Sequence, residues 1–139
     1  MNSFKAQILT PEGSIFDDEV SGVKVPGEMG SFEVKTLHAN IISSLEVGDI
    51  LVRKATGEEQ YFAVTGGFVE VVDSKLTLLA EAAEPVDEID VERAKEAKQR
   101  AKERLDAEDP EIDKTRARKA LERAENRIKL SANFSVSTQ

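Results

Sequence analysis

The sequence predicts an antiparallel β-sandwich or flattened barrel followed by an antiparallel two-helix hairpin. Three observations carry that expectation. Up to residue 80, apolar residues run together or recur with a period of about 2, in short stretches cut by Pro, Gly and Asp turn signals. From residue 90 the apolar period lengthens to about 3.6, and the composition becomes Ala, Lys, Arg and Glu. Charge divides at the same place: residues 1–86 hold 6 Lys/Arg against 14 Asp/Glu, whereas residues 87–139 hold 13 of each.

Taken in order, residues 3–10 form the first strand pattern and stop at Pro11-Glu12-Gly13. Ile15-Phe16 resumes it. Val20, Val23 and Val25 suggest another strand, ended by Pro26-Gly27, and Glu28-Met29-Gly30 makes a tight loop. Phe32 and Val34 alternate next, and residues 39–45 are a short apolar stretch. Gly48-Asp49 turns into Ile50-Leu51-Val52, and residues 55–58 form a hairpin candidate before Tyr61-Phe62-Ala63-Val64. Gly66-Gly67 breaks the run, residues 68–72 follow, and Asp73-Ser74 turns into Leu76-Thr77-Leu78-Leu79-Ala80. Eight or more such strands with no helix between them read as a sandwich or barrel.

Ile89-Asp90-Val91-Glu92-Arg93-Ala94 marks the change to helix. Val91, Ala94, Ala97, Ala101 and Leu105 line one face of a first helix. Asp109-Pro110 ends it, Asp113 can cap the next, and Ala117, Leu121, Ala124 and Ile128 line a second. The short link implies an antiparallel pair. At about 25 cal/mol per Å² of apolar surface buried, an alanine stripe contributes far less than a leucine seam. The hairpin is therefore expected to be weakly held. The expected organisation is a β domain over 1–86, a hairpin over 87–130 and a disordered, serine-rich tail over 131–139.

Composition excludes several function classes. The chain has no Cys, which removes disulfides, Cys-ligated zinc and thiol nucleophiles. It has one His, and no Ser-His-Asp ordering or carboxylate pairing that spacing supports. No metal site is expected. No apolar run approaches the roughly 20 residues of a membrane span, and the N-terminus does not read as a secretory signal. The net charge of −8 disfavours nucleic acid as a partner.

Three features remain, each with an ordinary reading beside a functional one. His38 is a surface or packing histidine before it is a catalytic one. Gly27-x-x-Gly30 is too short and too acidic for a phosphate loop, so a role in loop geometry or contact is preferred. Arg93 and Arg100 share a helix face, as do Arg123 and Arg127, and an antiparallel hairpin brings Arg93 near the level of Arg127. These four can be a solvated face, or they can converge on a polyanion with forked contacts to phosphate oxygens. Asp90 can be an N-cap, or it can accept from an adenine amino group or a ribose hydroxyl.

Three segments together carry a resemblance: residues 25–34 with His38-Ala39; residues 62–71 with Leu78-Leu79-Ala80-Glu81; and Ile89-Asp90-x-x-Arg93-Ala94 with Arg123-Ala-Glu-Asn-Arg127. Over roughly residues 3–130 the chain resembles the epsilon subunit of bacterial F-type ATP synthases. The resemblance implies a sandwich of about ten strands in two sheets, then the hairpin. It implies a non-catalytic central-stalk subunit that binds the gamma subunit and the ring of c subunits. Gly27, Glu28, Met29 and Gly30 match the loop facing the c ring, and His38 a position near gamma. The hairpin of such proteins can extend toward the alpha and beta catalytic subunits and inhibit ATP hydrolysis, or fold down. In some bacterial members the folded form binds ATP, a regulatory ligand and not a required cofactor. That pattern falls on Ile89, Asp90, Arg93, Ala94, Arg100, Arg123 and Arg127, with Glu84 as a nearby acid. The implied location is peripheral, on the cytoplasmic face of the bacterial inner membrane, with the membrane reached only through the complex. The alternative from another class is a free-standing β-sandwich binding module with a helical dimerisation hairpin.

Overall fold

The computed structural model describes residues 3–36 and 39–137. These divide into two compact units, Met1–Pro85 and Val86–Gln139. The first unit is all β: β1 Phe4–Thr10, β2 Gly13–Gly27, β3 Gly30–Lys35, β4 Ile41–Leu45, β5 Gly48–Lys54, β6 Glu59–Val64, β7 Gly67–Val72, β8 Lys75–Ala80 and β9 Ala83–Pro85. The resemblance implies about ten strands; nine form among the described residues.

β2 holds the two layers together. Its first half pairs with β1, from Phe4↔Val20 to Thr10↔Gly13. After a register shift between Val20 and Gly22, its second half pairs with β5 and β3. One layer is therefore β4-β7-β8-β1 with the start of β2, and the other is β3, the end of β2, β5, β6 and β9. A single contact, Gly27↔Leu45, closes β2 onto β4. The pairings are antiparallel except β1 with β8, which run parallel. The sequence suggests separate strands at Ile15-Phe16 and from Val20, because Asp17-Asp18-Glu19 is poor strand composition. The structure runs one 15-residue strand through them. The three acids are exposed, and Lys5 on β1 meets Asp17 at 3.0 Å.

The core fills the space between the layers. It is built from Phe4, Ala6, Ile8, Val69, Val71, Leu76 and Leu78 on one side and Val23, Val25, Val34, Ile50, Val52, Phe62 and Val64 on the other. Phe16 and Phe62 meet edge-to-face across it, with ring centres 6.0 Å apart and planes at 76°. That arrangement suits the ring quadrupoles. The turns follow the sequence signals. Asp73 and Ser74 take φ of 49° and 65° between β7 and β8, the two positive values a primed hairpin turn needs.

The second unit is a 3-10 turn over Val86–Glu88, then α1 Val91–Asp106 and α2 Lys114–Ser137. Ala94, Ala101, Ala117, Ala124 and Leu130 are buried, and Val91, Ala97, Leu105, Leu121 and Ile128 half-buried. Asp113 caps α2 as its position suggests, its Oδ1 accepting from the Arg116 amide at 3.0 Å. α2 is longer than the sequence leads one to expect. A disordered tail is expected from residue 131, but no Pro or Gly follows Leu130, and the helix continues to Ser137. Residues 138 and 139 lie outside the described residues.

Gly67 supplies a test of the β unit. Its φ is 138°, and a Cβ there would overlap the Leu79 carbonyl oxygen and crowd the Ala80 backbone. Gly67→Ala is expected to lose more than the 1–3 kcal/mol or so of a disallowed φ alone, read as a fall in denaturant midpoint. Gly57→Ala, at φ 99° with open space around it, should show only the φ cost. Equal losses for the two would refute close approach as the reason for Gly67.

Candidate functional site

The hairpin carries the chemistry-bearing residues in one register. Lys98 Nζ lies 4.0 Å from Glu125 Oε2. At the other end Lys114 Nζ donates to the carbonyls of Leu105 at 2.7 Å, Arg104 at 2.8 Å and Ala107. As residue numbers fall on α1 they rise on α2, so the helices are antiparallel. The Lys98–Glu125 pair sets Arg100 level with Arg123. Arg93 is about three residues, or about 4–5 Å at 1.5 Å per residue, from the level of Arg127.

Faces follow from the same geometry. Successive residues turn by about 100°, and the buried alanines define the side of each helix turned to its partner. Arg93 and Arg100 each precede a buried alanine by one position on α1, and Arg123 does so on α2. Because the helices run oppositely, one position before the seam falls on the same side of the hairpin for both. Arg127, three positions after Ala124, falls there too. The structure thus brings Arg93, Arg100, Arg123 and Arg127 onto a single face. It adds two that the sequence reading does not single out: Arg104, three positions after Ala101, and Arg116, directly before Ala117. The available signal is an arginine immediately preceding a seam residue, as in Arg93-Ala94, Arg100-Ala101, Arg116-Ala117 and Arg123-Ala124. Six of the seven arginines after residue 86 lie on this face. Lys95, Lys98, Lys102 and Arg118 fall on the other. The acids Glu92, Glu96, Glu103, Glu122 and Glu125 point to the backs of the helices or to the lysine side.

Exposure grades along the arginine face. Arg93, Arg100, Arg104 and Arg116 are exposed, and Arg123 and Arg127 half-buried. Arg127 and its neighbour Asn126 each have an interaction within the protein. Asp90 is the N-cap of α1: its Oδ1 accepts from the Arg93 amide at 3.1 Å, and its carbonyl accepts from the Ala94 amide at 3.0 Å. Capping engages one carboxylate oxygen and leaves the group capacity for further donors. Ile89 is 9% exposed, and its amide donates to the Val86 carbonyl at 3.3 Å. Ala94 is fully buried, where a larger side chain would force the seam apart. Glu84 lies in β9 of the first unit, opposite Ala63, and is not on the hairpin.

On the β unit, Gly27 and Gly30 are paired and bracket Glu28 and Met29. A Cβ at Gly27 would sit 2.7 Å from the Phe32 ring and 2.9 Å from the Gly30 carbonyl, so the ring closes over the loop base. The Glu28 amide donates to Ser44 at 3.0 Å and the Glu46 amide to Pro26 at 2.8 Å. The loop is braced against the β4–β5 turn, and Met29 stands 99% exposed at its tip. Ile42 (74%), Phe68 (55%) and Leu79 (50%) are also exposed. They lie on the outer face of β4, β7 and β8, where Phe68 pairs with both Ser44 and Leu79. Three large apolar side chains on neighbouring strands make an exposed apolar strip. His38, expected near a partner, lies outside the described residues. Among the described residues no group of His, Asp and Glu is arranged to hold a metal, and no helix is long and apolar enough to cross a membrane.

Comparison with known proteins places both units. Residues 3–86 match the family model for the beta-sandwich domain of the ATP synthase delta/epsilon chain, and residues 87–132 its long alpha-helix domain. The ATP synthase epsilon chain of Protochlamydia amoebophila is 49% identical over 127 residues, covering 91% of this chain and 86% of that one. The ATP synthase epsilon chain of Desulforamulus reducens is 45% identical over 125 residues, covering 90% and 94%. Among solved structures, a chain of the Euglena gracilis mitochondrial ATP synthase matches with a TM-score of 0.79. It has 22% identity, over 95% of this chain and 81% of that chain, a likeness of fold.

The Lys114 contacts yield a test of the hairpin turn. An ammonium on the last carbonyls of α1 also complements the negative end of the helix dipole. Lys114→Met keeps the aliphatic stem and removes the donors. Hydrogen bonds to charged groups contribute about 1.5–3 kcal/mol, so amide exchange at Ala107 and Ile112 should speed up at least about tenfold. Unchanged protection at both amides would show that the turn stands without Lys114.

Proposed function

The chain belongs to the ATP synthase epsilon-chain family, and from that premise we propose that it is a non-catalytic central-stalk subunit of a bacterial F-type ATP synthase. In this reading residues 1–86 bind the gamma subunit and the c ring. Residues 87–130 form a regulatory hairpin that inhibits ATP hydrolysis when extended toward the alpha and beta subunits. ATP is the ligand that favours the folded hairpin. The protein is peripheral, on the cytoplasmic face of the inner membrane, held there by its partners.

The observation that carries the regulatory part is the arginine face. Several guanidiniums on one side of a folded hairpin match the spread negative charge of a triphosphate with forked, charge-assisted contacts. The face exists only while the seam is closed, because its two columns come from different helices. A ligand that needs both columns binds the closed form better than the open one and shifts the population by that difference. In this reading Asp90, beside Arg93, accepts from the base or sugar. The braced Gly27–Gly30 loop suits a contact that transmits torque, and the apolar strip of Ile42, Phe68 and Leu79 suits the gamma contact.

Two measurements test this. Ending the chain after Pro85 is expected to preserve incorporation into the complex and raise its ATPase activity several-fold. Incorporation with unchanged ATPase activity would overturn the inhibitory role. Titrating the isolated chain with ATP is expected to give saturable heat, with Arg93→Ala and Arg127→Ala each weakening affinity at least about tenfold, as loss of a charged hydrogen bond implies. Saturable heat unaffected by both substitutions would move ATP elsewhere, and no heat at millimolar ATP would remove it.

A further inference from the structure

Met29 is the most exposed large apolar side chain of the protein among the described residues, and the β unit is built to hold it out. Glu28 and Met29 form the whole span between the paired Gly27 and Gly30. Phe32 covers the loop base, and two backbone hydrogen bonds tie its flanks to Ser44 and Glu46. The tip holds its methionine away from the core. The chain offers an oxidant little else that is soft: it has no Cys, no Trp and two Met, of which the other is Met1. A thioether with 99% of its surface open is as accessible as the residue type can be.

We propose that Met29 is a reversible oxidation site, at which a peroxide converts the thioether to the sulfoxide and turns the apolar tip of the β2–β3 loop polar. The step balances. The sulfur lone pair attacks one peroxide oxygen, the O–O bond breaks, an S–O bond forms, and the second oxygen leaves as water. Sulfur is oxidised by two electrons and the peroxide is reduced by two. Thiol-dependent sulfoxide reductases reverse it. The sulfoxide carries a strong dipole and a hydrogen-bond acceptor beside the Glu28 carboxylate. A partner surface shaped for an aliphatic tip would then have to desolvate that acceptor without a matching donor. Oxidation would weaken docking of the tip while leaving the fold intact, since Met29 packs against nothing in the β unit. The effect on docking rests on the reading above, that this loop faces the c ring; the oxidation itself does not.

The test uses the full chain, free and incorporated in its ATP synthase. Both are treated with hydrogen peroxide, and the peptide carrying Met29 is followed by mass spectrometry for the gain of one oxygen. Met29 in the free chain is expected to oxidise at a rate within a few-fold of a blocked methionine amide, and at least tenfold more slowly once incorporated. A free-chain rate below one-tenth of the amide's would overturn the site. The oxidised chain, and Met29→Gln as its stable mimic, are expected to bind complex stripped of this chain at least five-fold more weakly than untreated protein. Met29→Leu should bind equally with and without peroxide treatment, whatever its own affinity. If Met29 is shielded in the complex yet the sulfoxide form binds as tightly as untreated chain, the inference fails and the docking reading stands. If Met29 oxidises equally fast free and incorporated, the docking reading fails.

Discussion

Four alanines, Ala94 and Ala101 on α1 and Ala117 and Ala124 on α2, are the buried centre of the hairpin, and much of its chemistry depends on that choice. A methyl group brings two helix backbones close and fixes which side of each helix faces inward. Once that is fixed, arginines one position ahead of the alanines must appear on a common side. The same choice limits cohesion. Burying a methyl group yields about 0.8 kcal/mol, where burying a whole leucine side chain yields about 1.5–3. Leu130 and the half-buried Leu105, Leu121 and Ile128 add to the seam without making it continuous. Close register and weak cohesion are thus one property of the sequence, and together they suit the switching hairpin of the function proposed.

The β unit is constructed on the opposite principle. β2 is shared by both layers, so neither layer can separate without breaking a continuous strand. The interdigitated valines, Ile8, Ile50 and Phe62 leave no exposed seam. Glycines appear where a neighbour comes close: Gly67 against the Leu79 backbone, Gly48 against the Pro26 ring, Gly27 under the Phe32 ring. A β unit with a braced loop and a hairpin with an alanine seam suit different mechanical duties. In the function proposed, the first transmits force and the second responds to ligand.

Much of this is legible in the sequence. The strand–turn alternation, the change of period at residue 90 and the caps Asp90 and Asp113 are local signals, and local signals survive folding. Three things were hidden. The unity of β2 depends on Asp17–Glu19 pointing outward beside Lys5, a tertiary fact that overrides strand propensity. The exposure of Ile42, Phe68 and Leu79 is invisible because an outward apolar residue reads as core until the register is known. Arg104 and Arg116 escaped because spacing on one helix does not reveal which side of the partner it faces. The end of α2 lies beyond the expected one for a simpler reason: serine-rich composition suggests disorder, but without a Pro or Gly it does not stop a helix already under way.

The separation of arginine from lysine on the hairpin adds a further constraint. Both carry one charge, so a requirement for positive potential alone would distribute them without regard to side. Lysine is a strongly hydrated point charge on a flexible stem, well suited to loose pairs such as Lys98–Glu125 and Lys95–Glu92, at 4.0 and 3.7 Å. Arginine presents a planar fork of fixed donors, whose advantage appears only against a ligand with paired oxygens. In the function proposed, arginines gathered on one side, with the helix acids directed elsewhere, supply directional contacts. A point-charge face would hold any acidic surface about equally well. A forked one distinguishes a phosphate chain from scattered carboxylates, and that discrimination is what a hairpin responding to nucleotide would require.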